Sequence, residues 1–143
     1  SAFDRAASCG AGNVELLAGM QAGSIDRINQ LLSTISAVGK SPLEEAFKIS
    51  YQQFKFSRDR TNALILIANS GDNCDGDPFD PVTINQQVGQ HLSIYIVGLD
   101  VASVDRSQLV RIAEETGGAY RDASGTDELV TALDTFIDMI AQR

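Results

Sequence analysis

The sequence is short of the residues on which several functional classes depend. It holds one histidine and two cysteines, so a closed zinc site would need carboxylate ligands as well. Its longest uninterrupted apolar run, Ala63 to Ala68, is far shorter than the roughly 20 residues that cross a bilayer. A zinc site of His and Cys alone and a membrane-spanning helix are therefore excluded.

Basic residues are also few, since 11 Lys and Arg stand against 19 Asp and Glu and give a formal charge of −8. No cluster of Lys and Arg is visible, whereas nucleic acids and anionic membranes both bind through a basic footprint. We therefore expect neither as the main partner. No signal peptide is visible, so any export signal has been removed or lies outside this sequence.

The apolar residues follow an alternation of helix and strand patterns. Ser24 to Val38 has the period of an amphipathic helix with Gly39 as its stop, and Ser41-Pro42-Leu43-Glu44 reads as a capping box that opens a second helix. Ala63 to Ala68 and His91 to Leu99 have the composition of strands buried on both faces. The remaining predicted elements are helices over 80–88, 105–116 and 126–140 and a short strand over 119–122.

Strands that alternate with helices predict right-handed parallel crossovers and an open, mostly parallel, three-layer α/β sheet of Rossmann-like type. A length of 143 residues suits one domain. Two helices precede the first strong strand, and Ser1 to Ala7 and Val14 to Leu17 offer only short or incomplete strands. We therefore expect residues 1–143 to form a single domain, about the last three-quarters of a complete α/β domain.

The most polar segment follows the first strong strand, where open α/β sheets bind their ligands. Residues 69–80 read NSGDNCDGDPFD, with four aspartates in the last nine positions. Oxygen ligands at this density suit Ca²⁺ or Mg²⁺, although the spacing is not that of an EF-hand. A solvated loop of turn-forming residues also explains the aspartates, so both interpretations stay open.

No catalytic set is visible in the sequence. His91 is the only histidine, and no Gly-x-Ser-x-Gly turn presents a nucleophilic serine. Gly10-Ala11-Gly12 lacks the third glycine of a dinucleotide fingerprint, and no phosphate-binding lysine loop is present. We expect His91 to be a capping or surface histidine and the protein to have no enzymatic activity. A small α/β hydrolase is the lowest-ranked alternative.

Several segments in a fixed order resemble a von Willebrand factor type A (VWA) domain. The resemblance runs from about Ala2 to Ile140 and implies a three-layer α/β fold that serves as a protein-interaction or adhesion module. Cys9 to Leu17, with Cys74 and Asp77-Pro78, resembles a bacterial subgroup of the family. The other matching segments are Gly39-Lys40-Ser41-Pro42-Leu43, Leu64 to Asp72, His91 to Gly98 and Leu109 to Tyr120.

In that family a divalent metal binds at the top of the sheet, in a metal-ion-dependent adhesion site. By resemblance, Ser41 stands at the place of a metal-binding Thr and Ser70 at the place of a metal-binding Asp, with Asp72 close by. The family's Asp-x-Ser-x-Ser segment is not found in this chain. The resemblance therefore implies a degenerate site for Mg²⁺ or Ca²⁺. Because a hard cation needs carboxylate charge, we expect this chain alone to hold no metal rather than one of these ions. A helix N-cap explains Ser41 as well.

The resemblance also implies a disulfide between Cys9 and Cys74, since cysteines at these places of the subgroup lie on neighbouring loops. The alternative is two unrelated small buried residues. A disulfide would place the protein outside a reducing cytoplasm, in the periplasm, at the cell surface or in the medium. The implied ligand-binding face is made of top loops and comprises Lys40, Ser41, Asn69, Ser70, Gly71, Asp72, Asn73, Asp75 and Asp77.

Two functions stay open beside the low-ranked enzyme. The first is an adhesion or protein-interaction module of bacterial type that binds a protein partner through these loops. The second is a structural or assembly subunit whose sheet is completed by another chain, because an apolar strand at an open sheet edge invites pairing.

Overall fold

The computed structural model describes Cys9 and residues 14–35, 40–57 and 59–143. The predictions for residues 1–7, for Gly10-Ala11-Gly12 and for Gly39 lie outside these described residues. In chain order the elements are α1 (Ile25–Leu32), α2 (Leu43–Gln53), β1 (Ala63–Ala68), α3 (Phe79–Gln87), β2 (Ser93–Leu99), α4 (Ser103–Glu115), β3 (Tyr120–Ala123) and α5 (Thr126–Ala141).

The three strands form one parallel sheet in the order β1-β2-β3. Ala63 of β1 lies opposite Ser93 of β2, and Ile96 of β2 lies opposite Tyr120 of β3. Each strand is joined to the next through a helix, as parallel pairing requires. The predicted α/β class is confirmed, and β2 and β3 differ from their predicted bounds by one or two residues.

Successive residues of β2 enter two separate cores, which makes the fold three-layered. Ile94 and Ile96 pack with α2, α3 and α4 on one face of the sheet, whereas Tyr95 and Val97 pack with α5 on the other. All four side chains are fully buried because β2 has a strand on each side and helices above and below. The continuous apolar run of β2 follows from this position.

β1 is the edge strand of the described sheet, so its burial differs from the prediction. Its six residues, all apolar, are half-buried or exposed rather than buried, and Ile67 keeps 47% of its surface exposed. β1 therefore has the composition of a central strand but lies at an open edge of the described sheet. Apolar composition predicts a strand correctly but does not say whether a neighbour covers it.

The predicted helix over Ser24 to Val38 is shorter in the structure. α1 ends at Leu32, and residues 36–39 lie outside the described part of the chain. Its apolar face is not part of either core, since Ile25 is 73% and Leu32 59% exposed. Val14 to Leu17 form no strand. A period of 3.6 residues indicates an amphipathic helix, but it does not show whether another element covers the apolar face of that helix.

The predicted capping box of α2 is wrong, and α4 begins earlier than predicted. α2 begins at Leu43, and no side-chain cap is made by the preceding residues, so Ser41 and Glu44 do not form a capping box. α4 begins at Ser103, two residues before its predicted start, and Asp105 lies in its first turn. An aspartate in the first turn is favoured by the helix dipole, and a sequence pattern cannot separate this role from a cap.

α4 ends at Glu115, one residue before its predicted end, and the two glycines that follow, Gly117 and Gly118, serve different needs. Gly117 has φ +73°, which glycine adopts without strain, and its N–H donates to the carbonyl of Glu114 at 3.1 Å. Gly118 has no need of positive φ, but a Cβ there would lie 1.9 Å from the carbonyl oxygen of Ile94. The chain can therefore pass β2 closely enough to start β3.

Candidate functional site

The loops at the carboxyl ends of the strands come together into one surface, which we call the platform and define as residues 40–44 and 69–77. Residues 69–77 follow β1, and residues 40–44 lead into α2. The predicted ligand-face residues all belong to this surface. Lys40, Asn69, Asn73, Asp75 and Asp77 are exposed on it, Ser41, Ser70 and Asp72 are half-buried, and Gly71 is buried.

Ser41 joins the two halves of the platform. Its hydroxyl lies 2.8 Å from the hydroxyl of Ser70. Its N–H donates to Oδ1 of Asn73 at 2.6 Å, and its carbonyl accepts from the N–H of Asn73 at 3.2 Å. The resemblance brought Ser41 and Ser70 together correctly, and Asn73 completes a three-residue contact.

Asp72 supplies the cap that the sequence pattern assigned to Ser41. Its Oδ2 accepts from the N–H of Glu44 at 2.9 Å, in the first turn of α2. Its Oδ1 accepts from the N–H groups of Cys74 and Gly76 at 2.8 and 3.2 Å. One carboxylate therefore satisfies a free donor at the helix N-terminus and closes the turn that carries Cys74.

Two residues of the platform's support were missed by sequence reasoning. Gln108 of α4 accepts from the N–H of Asp72 at 2.8 Å through its Oε1. Glu44 accepts from the N–H of Asp77 at 3.0 Å and pairs with Lys48 at 2.6 Å. The hydrogen bond from Lys48, followed by the one from Asp77, lowers the pKa of Glu44 below its ordinary value. The bonds from Asp72 to Gln108 and from Asp77 to Glu44 join residues distant in sequence, and no local motif indicates them. The Glu44–Lys48 pair has the i,i+4 spacing that a helix brings together, which was the available signal.

The predicted disulfide between Cys9 and Cys74 is confirmed, with the two Cα atoms 5.2 Å apart. It ties residue 9 to the platform loop directly beside the Asp72 turn. A shallow cavity of about 170 Å³ surrounds the bond. The cavity is acidic, because Glu44, Glu45, Asp72 and Asp75 are among its lining residues.

The donor set does not fit the divalent cation that the resemblance implies. Ser41 and Ser70 offer two hydroxyls, which are bonded to each other. Asp72 is the carboxylate of the implied ligand set, but both of its oxygens accept backbone N–H groups that would lose their partners if it turned to a metal. Within the described ranges, no three His, Cys, Asp or Glu side chains are grouped as a cation would need. A hard dication requires more carboxylate charge than this.

Changing Asp72 to Ala is expected to lower the free energy of unfolding by about 3 kcal/mol, because three hydrogen bonds to a charged acceptor are lost at once. Asp80→Ala removes the same charge from an exposed position of α3 and makes a matched control, with an expected loss below about 1 kcal/mol. Urea unfolding of both variants measures the difference. Equal losses would contradict the role given to Asp72.

His91 lies at the opposite end of the sheet from the platform. It precedes β2, whereas Ser70 follows β1, and the two strands are parallel neighbours. The length of β1 therefore separates them by about 20 Å. The histidine and the serine hydroxyls do not form one site.

No protein-family model and no curated protein matches the chain. Two solved structures are similar to it in fold. The conserved hypothetical protein BatB from Bacteroides thetaiotaomicron is 18% identical with a TM-score of 0.59, over 85% of this chain and 71% of that one. An aerotolerance-related membrane protein from Bacteroides fragilis NCTC 9343, with multiple mutations to serines, is 12% identical with a TM-score of 0.61, over 82% and 70%. At these identities the similarity shows the α/β fold.

Proposed function

We propose that this protein is a VWA-like, non-enzymatic interaction module that binds a protein partner through the platform. The observation that carries the proposal is the reciprocal bonding of Ser41 with Asn73, together with the bond from the Glu44 N–H to Asp72, which holds two loops and the start of α2 in one fixed arrangement. A surface that is already held in one conformation loses little conformational entropy when a partner docks. It also lies at the carboxyl ends of the strands, where open α/β sheets bind ligands.

The charge of the platform indicates the partner's chemistry. Asp75 and Asp77 are exposed, and both carboxylates of the α2 start, Glu44 and Glu45, lie beside them around the disulfide. Lys48 already pairs with both glutamates, and Lys40 is the exposed cation within the platform itself among the described residues. Asp75 and Asp77 therefore carry the negative charge that a partner would meet. A partner with a basic patch therefore complements the platform, and this complementarity speeds encounter more than it adds affinity.

The site works without covalent chemistry and without a divalent metal. The hydroxyls of Ser41 and Ser70 lack a histidine within reach, since His91 lies about 20 Å away. Hydrogen bonds within the platform already hold the loops together. In a metal site, the coordinated cation would have this role. Binding that depends on these bonds is insensitive to chelators.

We place the protein outside the cytoplasm. The Cys9–Cys74 disulfide needs an oxidising compartment to form and persist. One protein of similar fold is described as a membrane protein, and no helix in the described part of this chain is long and apolar enough to cross a membrane. A periplasmic or cell-surface location agrees with both the disulfide and this neighbour.

Site-specific photocrosslinking tests the proposal. A photoreactive residue replaces Asn69, an exposed platform residue outside the Ser41–Asn73 contact, or, as a control, exposed Thr131 of α5, and each protein is exposed to an envelope extract of its own organism. We expect one discrete adduct from position 69, unchanged by EDTA and lost when Asp75 and Asp77 are changed to Lys. The same adducts from both positions, or an adduct that needs Mg²⁺, would overturn it.

A second candidate function is an assembly subunit whose sheet is completed by another strand. The supporting observation is the open edge of β1, where six apolar residues pair on one side with β2 and on the other with no described strand. Val14 and Glu15 lie beside the upper end of this edge, near Ile67 and Asn69, but form no strand there. Intact mass and sedimentation of the purified sample separate the candidates, because an assembly subunit travels as a self-associated or mixed complex and a free module as a monomer.

A further inference from the structure

A groove runs along the side of the molecule that faces away from the platform. It consists of two cavities of about 420 and 510 Å³ that share Phe56 and Gln90. Its walls are the end of α2, the exposed side of α3 and the connector residues 54–57 and 59–62, and it reaches the N-terminal ends of β1 and β2. We call it the lower groove.

The floor and rim of the lower groove are apolar and aromatic. The rings of Tyr51 and Phe56 stack with centroids 6.0 Å apart, and Phe54 lies 6.2 Å from Phe56. On the facing rim, Ile84 is 60% and Val88 69% exposed, one helical turn apart. A cleft with an aromatic wall and an exposed apolar rim is the surface on which an extended chain can bury a large side chain.

The lining of the lower groove differs in charge from the rest of an acidic chain. None of its described lining residues is Asp or Glu. Arg60 makes no ion pair with a described residue, and His91 is exposed next to it along the groove. Lys48 is already paired with Glu44 and Glu45 at the opposite rim.

Amide side chains complete the lining. The side chains of Gln52 and Gln90 make no hydrogen bond within the described residues, and each can both donate and accept. Burial raises the pKa of Tyr51 in the wall to about 12. The lower groove therefore offers apolar area, two free amides and an uncompensated guanidinium.

We propose that the lower groove binds an extended acidic peptide segment of a partner protein. An apolar side chain of the segment lies between Phe56 and Ile84, flanking carboxylates pair with Arg60 and His91, and Gln52 and Gln90 bond the peptide backbone. Arg suits a carboxylate because its planar fork makes two parallel bonds. A nucleic acid is a poorer match, since Arg60 is the one cation of the groove without an ion pair among the described residues, in a chain of formal charge −8.

Fluorescence anisotropy with three labelled dodecapeptides tests the proposal directly on the whole chain. The first carries six Glu and two Leu, the second has Lys in place of Glu, and the third has Ser in place of Leu. We expect the Glu/Leu peptide to bind most tightly and the affinity to fall as salt is raised. A labelled single-stranded oligonucleotide of the same charge serves as the competing class.

The variants locate the binding. Arg60→Glu is expected to weaken the Glu/Leu peptide by at least about tenfold, and Ile84→Asp by a similar factor. Arg121→Glu makes the same charge change on exposed β3, outside the groove, and is expected to weaken binding by less than about threefold. Thermal melting checks that each variant is folded. The proposal would be overturned by equal effects of Arg60→Glu and Arg121→Glu, or by equal binding of the Lys peptide. It would also be overturned by tighter binding of the oligonucleotide, or by no binding at 1 mM peptide, a concentration on the order of the weakest specific affinities.

Discussion

Replacing Cys9 and Cys74 together with serine is expected to lower the free energy of unfolding by about 4 kcal/mol. The disulfide joins residues 65 apart in sequence, and in the chain-entropy model a loop of this size restricts the unfolded chain by about that amount. For a chain of this length the loss corresponds to a fall in melting temperature of roughly 12 °C. A typical domain is stable by only about 5–15 kcal/mol, so this bond is a large share of the total.

Urea unfolding of the native protein and of the double variant measures the loss. The native protein in excess reductant should unfold at the same urea concentration as the double variant, because both lack the cross-link. The double variant itself should not respond to reductant. Unchanged midpoints after reduction would mean that the bond does not constrain the unfolded chain as the loop length requires.

Changing Gly118 to Ala is expected to lower the free energy of unfolding by about 3–4 kcal/mol. The new Cβ would lie 1.9 Å from the carbonyl oxygen and 2.4 Å from the carbonyl carbon of Ile94. Both are backbone atoms of the fully buried central strand, so neither can swing away as a flexible side chain would. The α4–β3 turn must therefore move off β2.

Gly117→Ala provides the matched control, one residue away in the same turn. Its added Cβ meets only Arg143, at 3.9 Å, but its φ of +73° is strained for alanine. We expect a cost of about 1 kcal/mol, which is the conformational penalty alone. Differential scanning calorimetry of the two variants separates crowding from backbone strain, and the same melting temperature for both would contradict the close approach at Gly118.

The parts of the fold that follow from sequence are those set by local chemistry. The bounds of β1 match the apolar run from Ala63 to Ala68 without error. The end of α4 follows from Gly117 and Gly118, and α5 begins at the predicted Thr126. In each case the deciding residues are adjacent in the chain, so a pattern can report them.

The parts that could not be predicted depend on which distant residues meet. Asp72 caps α2 from 28 residues away, and nothing in the sequence around Ser41 says that its own hydroxyl will face Ser70 instead. The exposure of Ile67 could not be predicted for the same reason, because an apolar strand has the same composition whether or not a neighbouring strand covers it. The Cys9–Cys74 pairing was predicted only through resemblance, since two cysteines at this separation carry no geometric information.

The disulfide also sets how the molecule carries tension. A pull applied to the chain before Cys9 and after Arg143 passes through the sulfur bridge straight to Cys74, so the polypeptide between the two cysteines bears no load. About 65 residues are held out of the stretched length in this way, which corresponds to roughly 220 Å of extended chain. The force instead enters the molecule at the turn that Asp72 closes, beside the first turn of α2. Reduction would turn this short mechanical link into a long, extensible one.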